Sequence, residues 1–145
     1  MLVPKRRNYV IETGYDQYCH AHPREGLDLA LELAGRTGPA YQAAAEGLKK
    51  RTWTHLFNMF LMRRDLLDRY CSWLFPILFE MERQLDISGW SANDRRVYGF
   101  VAERLLDVWL EAENIEYREV PVMFMEKQNW VKKGGAFLKR KFFAR

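Results

Sequence analysis

Apolar positions along the chain recur mostly at helical spacing. Leu27, Leu31 and Ala34 fall three or four residues apart ahead of Gly35, which predicts a helix over 27–35. A second helix is predicted over 39–50, with Pro39 in its first turn and an alanine-rich middle. Residues 64–85 carry a long helical pattern that is apolar nearly all round, so it predicts burial. Pro76 inside it removes a backbone donor and crowds the preceding turn, so a kink or two abutting helices are expected there. Ser91-Ala92-Asn93-Asp94 has the Ser-x-x-acid form of a capping box, at the head of a helix running to Glu113.

Strand signals are shorter. Leu2-Val3 is stopped by Pro4 and has no local partner, and 9–13 reads as a loop or short strand. Residues 56–62 fit a buried strand or the start of a helix; their length and aromatic content lean toward the strand. Residues 120–125 read as a strand, with Pro121 favouring an edge. The prediction is an α+β chain, predominantly helical, with three or four helices and two or three short strands.

The helix after Asp94 is the most informative for chemistry. At about 100° per residue, Val97, Val101, Leu105 and Val108 form its apolar stripe, while Arg96, Gly99, Glu103 and Asp107 share the opposite face. Gly99 sits one turn before Glu103 and leaves space above it, at a position where glycine costs roughly 1 kcal/mol against alanine. A carboxylate beside a gap, with Arg96 and Arg104 near it, suits a general base or a hydroxyl-binding group. The competing reading is a solvated face with ordinary charge pairs, and spacing alone favours it.

Tyr15, Asp16, Gln17, Tyr18, Cys19, His20 and His22 make a dense polar and aromatic cluster, read as a loop. His20 and His22 are a metal-like pair without evident partners elsewhere, so hydrogen bonding to a sugar or pyrophosphate suits them better; incidental surface histidines are the alternative. His55 and Asn58 flank an apolar run, where a polar residue is more often a satisfied core group than a ligand. The chain has no phosphate-cradling glycine loop, no Gly-x-Ser-x-Gly, no Cys-x-x-Cys and no Asp-x-Asp. No metal site is therefore expected within it.

Composition narrows the class. A chain of 145 residues, 48% hydrophobic, fits one domain with a real core. Its longest apolar run, around Pro76, falls far short of the roughly 20 residues that span a bilayer, and the N-terminus lacks a secretory signal. Cys19 and Cys71 form no disulfide framework, so a cytoplasmic location is expected. The net charge of +4 comes from the end: after Glu126 there are seven Lys and Arg and no acid. Without them the remaining 16 basic and 19 acidic residues leave a mildly acidic body, which argues against nucleic-acid binding. Residues 127–145 are expected as a separate basic, aromatic tail, with 130–145 suited to peripheral contact with an anionic membrane at its inner face.

Several stretches in order along the chain resemble one family. They are Val3-Pro4-Lys5-Arg6-Arg7-Asn8-Tyr9, Glu12-Thr13-Gly14-Tyr15-Asp16-Gln17-Tyr18, His20-Ala21-His22 and His55-Leu56-Phe57-Asn58-Met59-Phe60-Leu61-Met62. Tyr70-Cys71-Ser72-Trp73-Leu74-Phe75 and Arg96-Val97-Tyr98-Gly99-Phe100-Val101-Ala102-Glu103-Arg104-Leu105-Leu106 complete the set. Together they resemble the bacterial glycosyltransferases of capsular, exopolysaccharide and lipopolysaccharide clusters whose shared domain is a numbered domain of unknown function, 4422. The resemblance implies the C-terminal part (1–126) of a GT-A-like α/β glycosyltransferase domain, a nucleotide-sugar donor and a polysaccharide or lipid-linked acceptor. It implies that a longer N-terminal half belongs before it, supplying the nucleotide-binding strands and any divalent metal site; the chain alone is expected to be inactive. The family tends to have a polar residue where Pro76 stands. On this reading Glu103 is the catalytic carboxylate, Arg96 and Arg104 offset diphosphate charge or orient Glu103, and Tyr15, His20, His22 and Asn58 line the sugar or diphosphate. The alternative is a non-catalytic helical module for interaction or membrane docking.

Overall fold

The computed structural model describes residues 1–125; the tail expected over 127–145 lies outside them. The elements run β1 (Leu2–Pro4), β2 (Arg7–Asn8), α1 (Gly14–Ala21), α2 (Arg24–Arg36), α3 (Pro39–Lys50), β3 (Trp53–Thr54), α4 (Arg64–Gln84), a 3-10 turn (Asp94–Arg96), α5 (Val97–Ala112) and β4 (Arg118–Val120). The described part is 58% helical with few short strands, the predominantly helical α+β composition expected.

Helix α5 is the centre of the packing, with α2, α3 and α4 laid against it. Val97, Val101, Leu105 and Val108 are at most 1% exposed, so the stripe predicted from periodicity is the buried one. Burial extends past the stripe to Leu106, Trp109 and Leu110, because three helices cover α5 rather than one. The capping bonds expected at Ser91 are made at the 3-10 turn ahead of α5, where the Ser91 hydroxyl accepts the Asp94 amide (3.1 Å) and donates to the Asp94 carboxylate (2.6 Å). Helix α5 itself follows from Val97, and its N-cap Arg96 makes no side-chain cap. Its end is a Schellman motif. Asn114 is left-handed (φ 50°), and the Ile115 and Asn114 amides reach back to Leu110 (2.9 Å) and Glu111 (3.2 Å).

Several expectations need correction. Residues 15–22 are not a loop: Thr13 and Asp16 form a reciprocal capping box that starts α1. Helix α4 runs unbroken through Pro76, so two abutting helices do not occur, and only Tyr70, Leu74, Ile77 and Met81 are buried along it. Phe75 and Phe79 stack on each other at 6.1 Å and stay exposed. Residues 56–62 are not a strand; Phe57 (φ 83°) and Asn58 (φ 43°) are both left-handed, which breaks any ladder. Leu2-Val3 is not stranded either. β1 pairs in parallel with β4 (Val3 opposite Glu119), and Leu2 bridges Leu61 on its other edge. The last strand therefore precedes Pro121 rather than containing it. Strands β2 and β3 form a second, antiparallel pair.

Candidate functional site

Asp107 does not belong to a solvated face. It is 2% exposed, and its carboxylate accepts from the Thr54 hydroxyl (2.8 Å), the His55 amide (3.0 Å) and His55 Nδ1 (2.5 Å). The far ring nitrogen of His55 faces Glu119 (3.2 Å), which Arg6 holds at 2.5 Å. Burial works against the Glu119 charge, but the hydrogen bonds from Arg6 and His55 overcome it and hold its pKa below the ordinary range. His55 is thus the satisfied core group the sequence favoured. The network ties α5, β3 and β4 together; at its edge Arg51 Nη2 lies 3.9 Å from Asp107 without a hydrogen bond.

One turn earlier on α5 the situation differs. The Glu103 side chain is 23% exposed, and burial raises its pKa. Arg104, the backbone amide of Phe57 and Arg96 pull the other way without cancelling that rise. Arg104 is 5% exposed; it donates to Gln17 (3.2 Å), lies 3.6 Å from Glu103 and stands over the Tyr18 ring. Its Nε and Nη1 make no hydrogen bond, and neither does the buried Tyr18 hydroxyl. Unmatched buried donors cost stability, so this polar group is under-satisfied. The Asp107 carboxylate itself accepts three hydrogen bonds, and the unmatched atoms beside it are those of Arg51. Asn58 donates from its side chain to the Gly99 carbonyl at 2.8 Å, which lays the 57–58 turn along the Glu103 face. A Cβ added to Gly99 would meet nothing within 4 Å, so the gap expected beside Glu103 is present.

Of the other candidates, Arg96 is exposed over the Phe100 ring (5.2 Å). His22 stacks on the same ring at 4.0 Å and lies 3.5 Å from Asp94. These two border the Glu103 face. Tyr15 does not: its hydroxyl is engaged with Asp28 (2.6 Å) and Arg24 (2.8 Å) on α2. His20 is exposed and bonded to Glu12 (2.9 Å), away from Glu103 and Arg104. Sequence reasoning missed Gln17, which accepts from both Tyr9 (3.1 Å) and Arg104, and Tyr18 beside it. Reading 14–21 as helix would have set Gln17 and Tyr18 on a packed element rather than in a loop. Two open clefts, of about 660 Å³ at the β1–β4 edge and about 720 Å³ between α2 and α3, contain no candidate except Tyr15. Among the described residues no three His, Cys, Asp or Glu converge to hold a metal, and no helix is long and apolar enough to cross a membrane.

A model of the family described as "Domain of unknown function (DUF4422)" matches residues 1–114. The chain belongs to this family. Glu103, Arg104, Arg96, His22 and Asn58 all fall inside the matched part of the DUF4422 domain. The chain is also similar to a solved structure described as the apo form of the WbbM bifunctional glycosyltransferase, with TM-score 0.75 and 25% identity. That likeness covers 83% of this chain and 23% of the WbbM chain. No curated protein matches. The DUF4422 chain thus shares its fold with part of a glycosyltransferase structure.

Proposed function

We propose that this domain forms the acceptor side of a GT-A-like glycosyltransferase, moving a sugar from a nucleotide-sugar donor to a polysaccharide or lipid-linked acceptor in bacterial surface polysaccharide synthesis. The observation that carries the reading is the half-buried Glu103 carboxylate beside an open gap, on a chain that shares its fold with a glycosyltransferase. Glu103 takes or anchors the proton of the attacking hydroxyl, and its raised pKa makes it a better base than a solvated glutamate. Arg104 is too buried to reach a diphosphate; it orients Glu103. Exposed Arg96, packed like His22 on the Phe100 ring, meets the departing charge as a fixed electrostatic partner.

The donor crevice is completed by further polypeptide. Such crevices open at the carboxyl ends of a parallel sheet, and the described residues supply two two-stranded pairs. Any divalent metal would likewise be held outside them. The 145-residue chain should therefore show no micromolar binding of uridine or guanosine diphosphate sugars by calorimetry. In the complete enzyme, Glu103→Gln should lower turnover by about 10²–10⁴ while leaving folding intact. Unchanged turnover would remove Glu103 from catalysis. Residues 130–145, with aromatic rings interleaved among cations, would dock the enzyme on an anionic membrane near a lipid-linked acceptor.

A further inference from the structure

Phe57 is held where neither its backbone nor its side chain prefers to be. A bulky residue at φ 83° is a genuine outlier, and it is followed by a second left-handed residue, Asn58 at φ 43°. Strain of this kind persists only where the surroundings impose it. Here two successive turns of α5 do so: Glu103 receives the Phe57 amide, and the Gly99 carbonyl receives the Asn58 side chain. The result is that an aromatic ring stays 42% exposed instead of entering the core. Its ring neighbour is Phe124, edge-on at 6.0 Å, itself 44% exposed. Met59, the next residue but one, is 43% exposed. Asn58 ties this ledge to α5 at Gly99, whose Cβ position is open, and Glu103 follows one turn later on the same helix.

We propose that Phe57 and the Gly99 gap form a subsite for one pyranose ring of the glycan acceptor, a step that rests on the glycosyltransferase reading above. A pyranose has an apolar C–H face and a rim of hydroxyls. The Phe57 ring accepts the C–H face, and the hydroxyl rim turns toward the carboxylate and the Asn58 amide. Aromatic area with a few placed polar groups is the usual lining of a small-ligand site. Glycine at 99 keeps the floor clear, since a larger side chain there would fill the sugar's place without touching the protein. The same contacts that strain the turn also position Glu103, so binding a sugar on Phe57 brings its hydroxyls to the base.

The test is saturation-transfer NMR on the 145-residue chain with methyl β-galactopyranoside, methyl β-glucopyranoside and methyl α-mannopyranoside. At least one glycoside should receive saturation on the protons of one ring face. Phe57→Gly removes the ring and suits the left-handed backbone, so the fold is retained. It should cut the transfer about fivefold or more, the scale of one lost aromatic contact. Phe57→Tyr should keep it, and Gly99→Leu should abolish it with an unchanged circular dichroism spectrum. No transfer to any of the three glycosides, or equal transfer in Phe57→Gly, overturns the subsite. Loss of binding in Phe57→Gly together with full turnover in Glu103→Gln would keep the subsite and discard the base assignment; the reverse pattern would do the opposite.

Discussion

Replacing Asp107 with alanine isolates the contribution of its polar network. The substitution deletes the acceptor for the Thr54 hydroxyl, the His55 amide and the His55 ring, and removes the carboxylate 3.9 Å from Arg51. The site is nearly dry: Thr54 and His55 are each 1% exposed, so water cannot easily replace what is lost. Each unmatched buried donor costs about 1–3 kcal/mol, but donors that share one acceptor do not add, and breaking a buried pair costs about 3–5 kcal/mol in total. With an unfolding entropy of about 2.1 cal/mol/K per residue, that corresponds to a fall in Tm of roughly 10–15 °C. Asp107→Asn should cost less. An asparagine whose oxygen takes the place of Oδ2 still accepts from Thr54 and the His55 amide, and the ring can change tautomer to accept the new NH2. Urea titration with fitted m-values, alongside thermal melts, gives the order wild type, Asn, Ala. An alanine variant within about 1 kcal/mol of wild type would refute the argument, because a carboxylate with those three bonds cannot be that cheap to lose.

Glu103→Gln should leave Tm unchanged or raise it at neutral pH, because the folded pKa of Glu103 lies above its unfolded value. Stability held by its protonated form is lost as pH rises through that window, so the gap between variant and wild type should close as pH falls below about 4.5; a gap that widens on acidification refutes the sign. Gly26→Ala should lower Tm although alanine gains up to about 1 kcal/mol of helix propensity, because overpacking costs about 1–3 kcal/mol. The new Cβ would stand 2.4 Å from Val97 Cγ2, on a β-branched side chain with little rotamer freedom; a higher Tm would show that α2 and α5 give way. For the tail, the full chain should sediment with anionic but not neutral vesicles and lose this with added salt. Truncation after Gly134 should abolish binding without unfolding residues 1–125, and persistence of binding would discard the membrane role.

What the sequence made legible follows from which signals are local. Helix α3 was readable because Pro39 and its alanines act within a few residues of themselves, and its predicted bounds are the observed ones. The capping box at Thr13 and Asp16 is equally local and was visible in the sequence; the density of polar side chains after it suggested a loop instead. The 56–62 segment failed for a different reason. Nothing in Leu56-Phe57-Asn58 announces two left-handed residues; the turn is imposed by Glu103 and Gly99, more than 40 positions away. β1 was unreadable as a paired strand for the same reason, since its partner β4 lies over 110 residues downstream.

The polar face of α5 shows how far periodicity can go. It set Gly99, Glu103 and Asp107 on one side of the helix, and it could not tell that Asp107 is covered by β3 and β4, that Glu103 is half-buried, and that Gly99 faces open space. Those two carboxylates, one turn apart, then have opposite characters. Asp107 accepts three hydrogen bonds, although Arg51 beside it keeps two unmatched nitrogens. Glu103 stays poorly solvated, with an arginine of unmatched donors on one side and a strained turn on the other. A fold under selection for stability alone would complete such a group or replace it, and local strain and perturbed acids gather where a protein acts on something else. That contrast within a single helix is the reason to propose the chemistry at Glu103 and the architecture at Asp107, and the two substitutions separate them: Asp107→Ala should lower the melting temperature, and Glu103→Gln should lower turnover of the complete enzyme while leaving the domain folded.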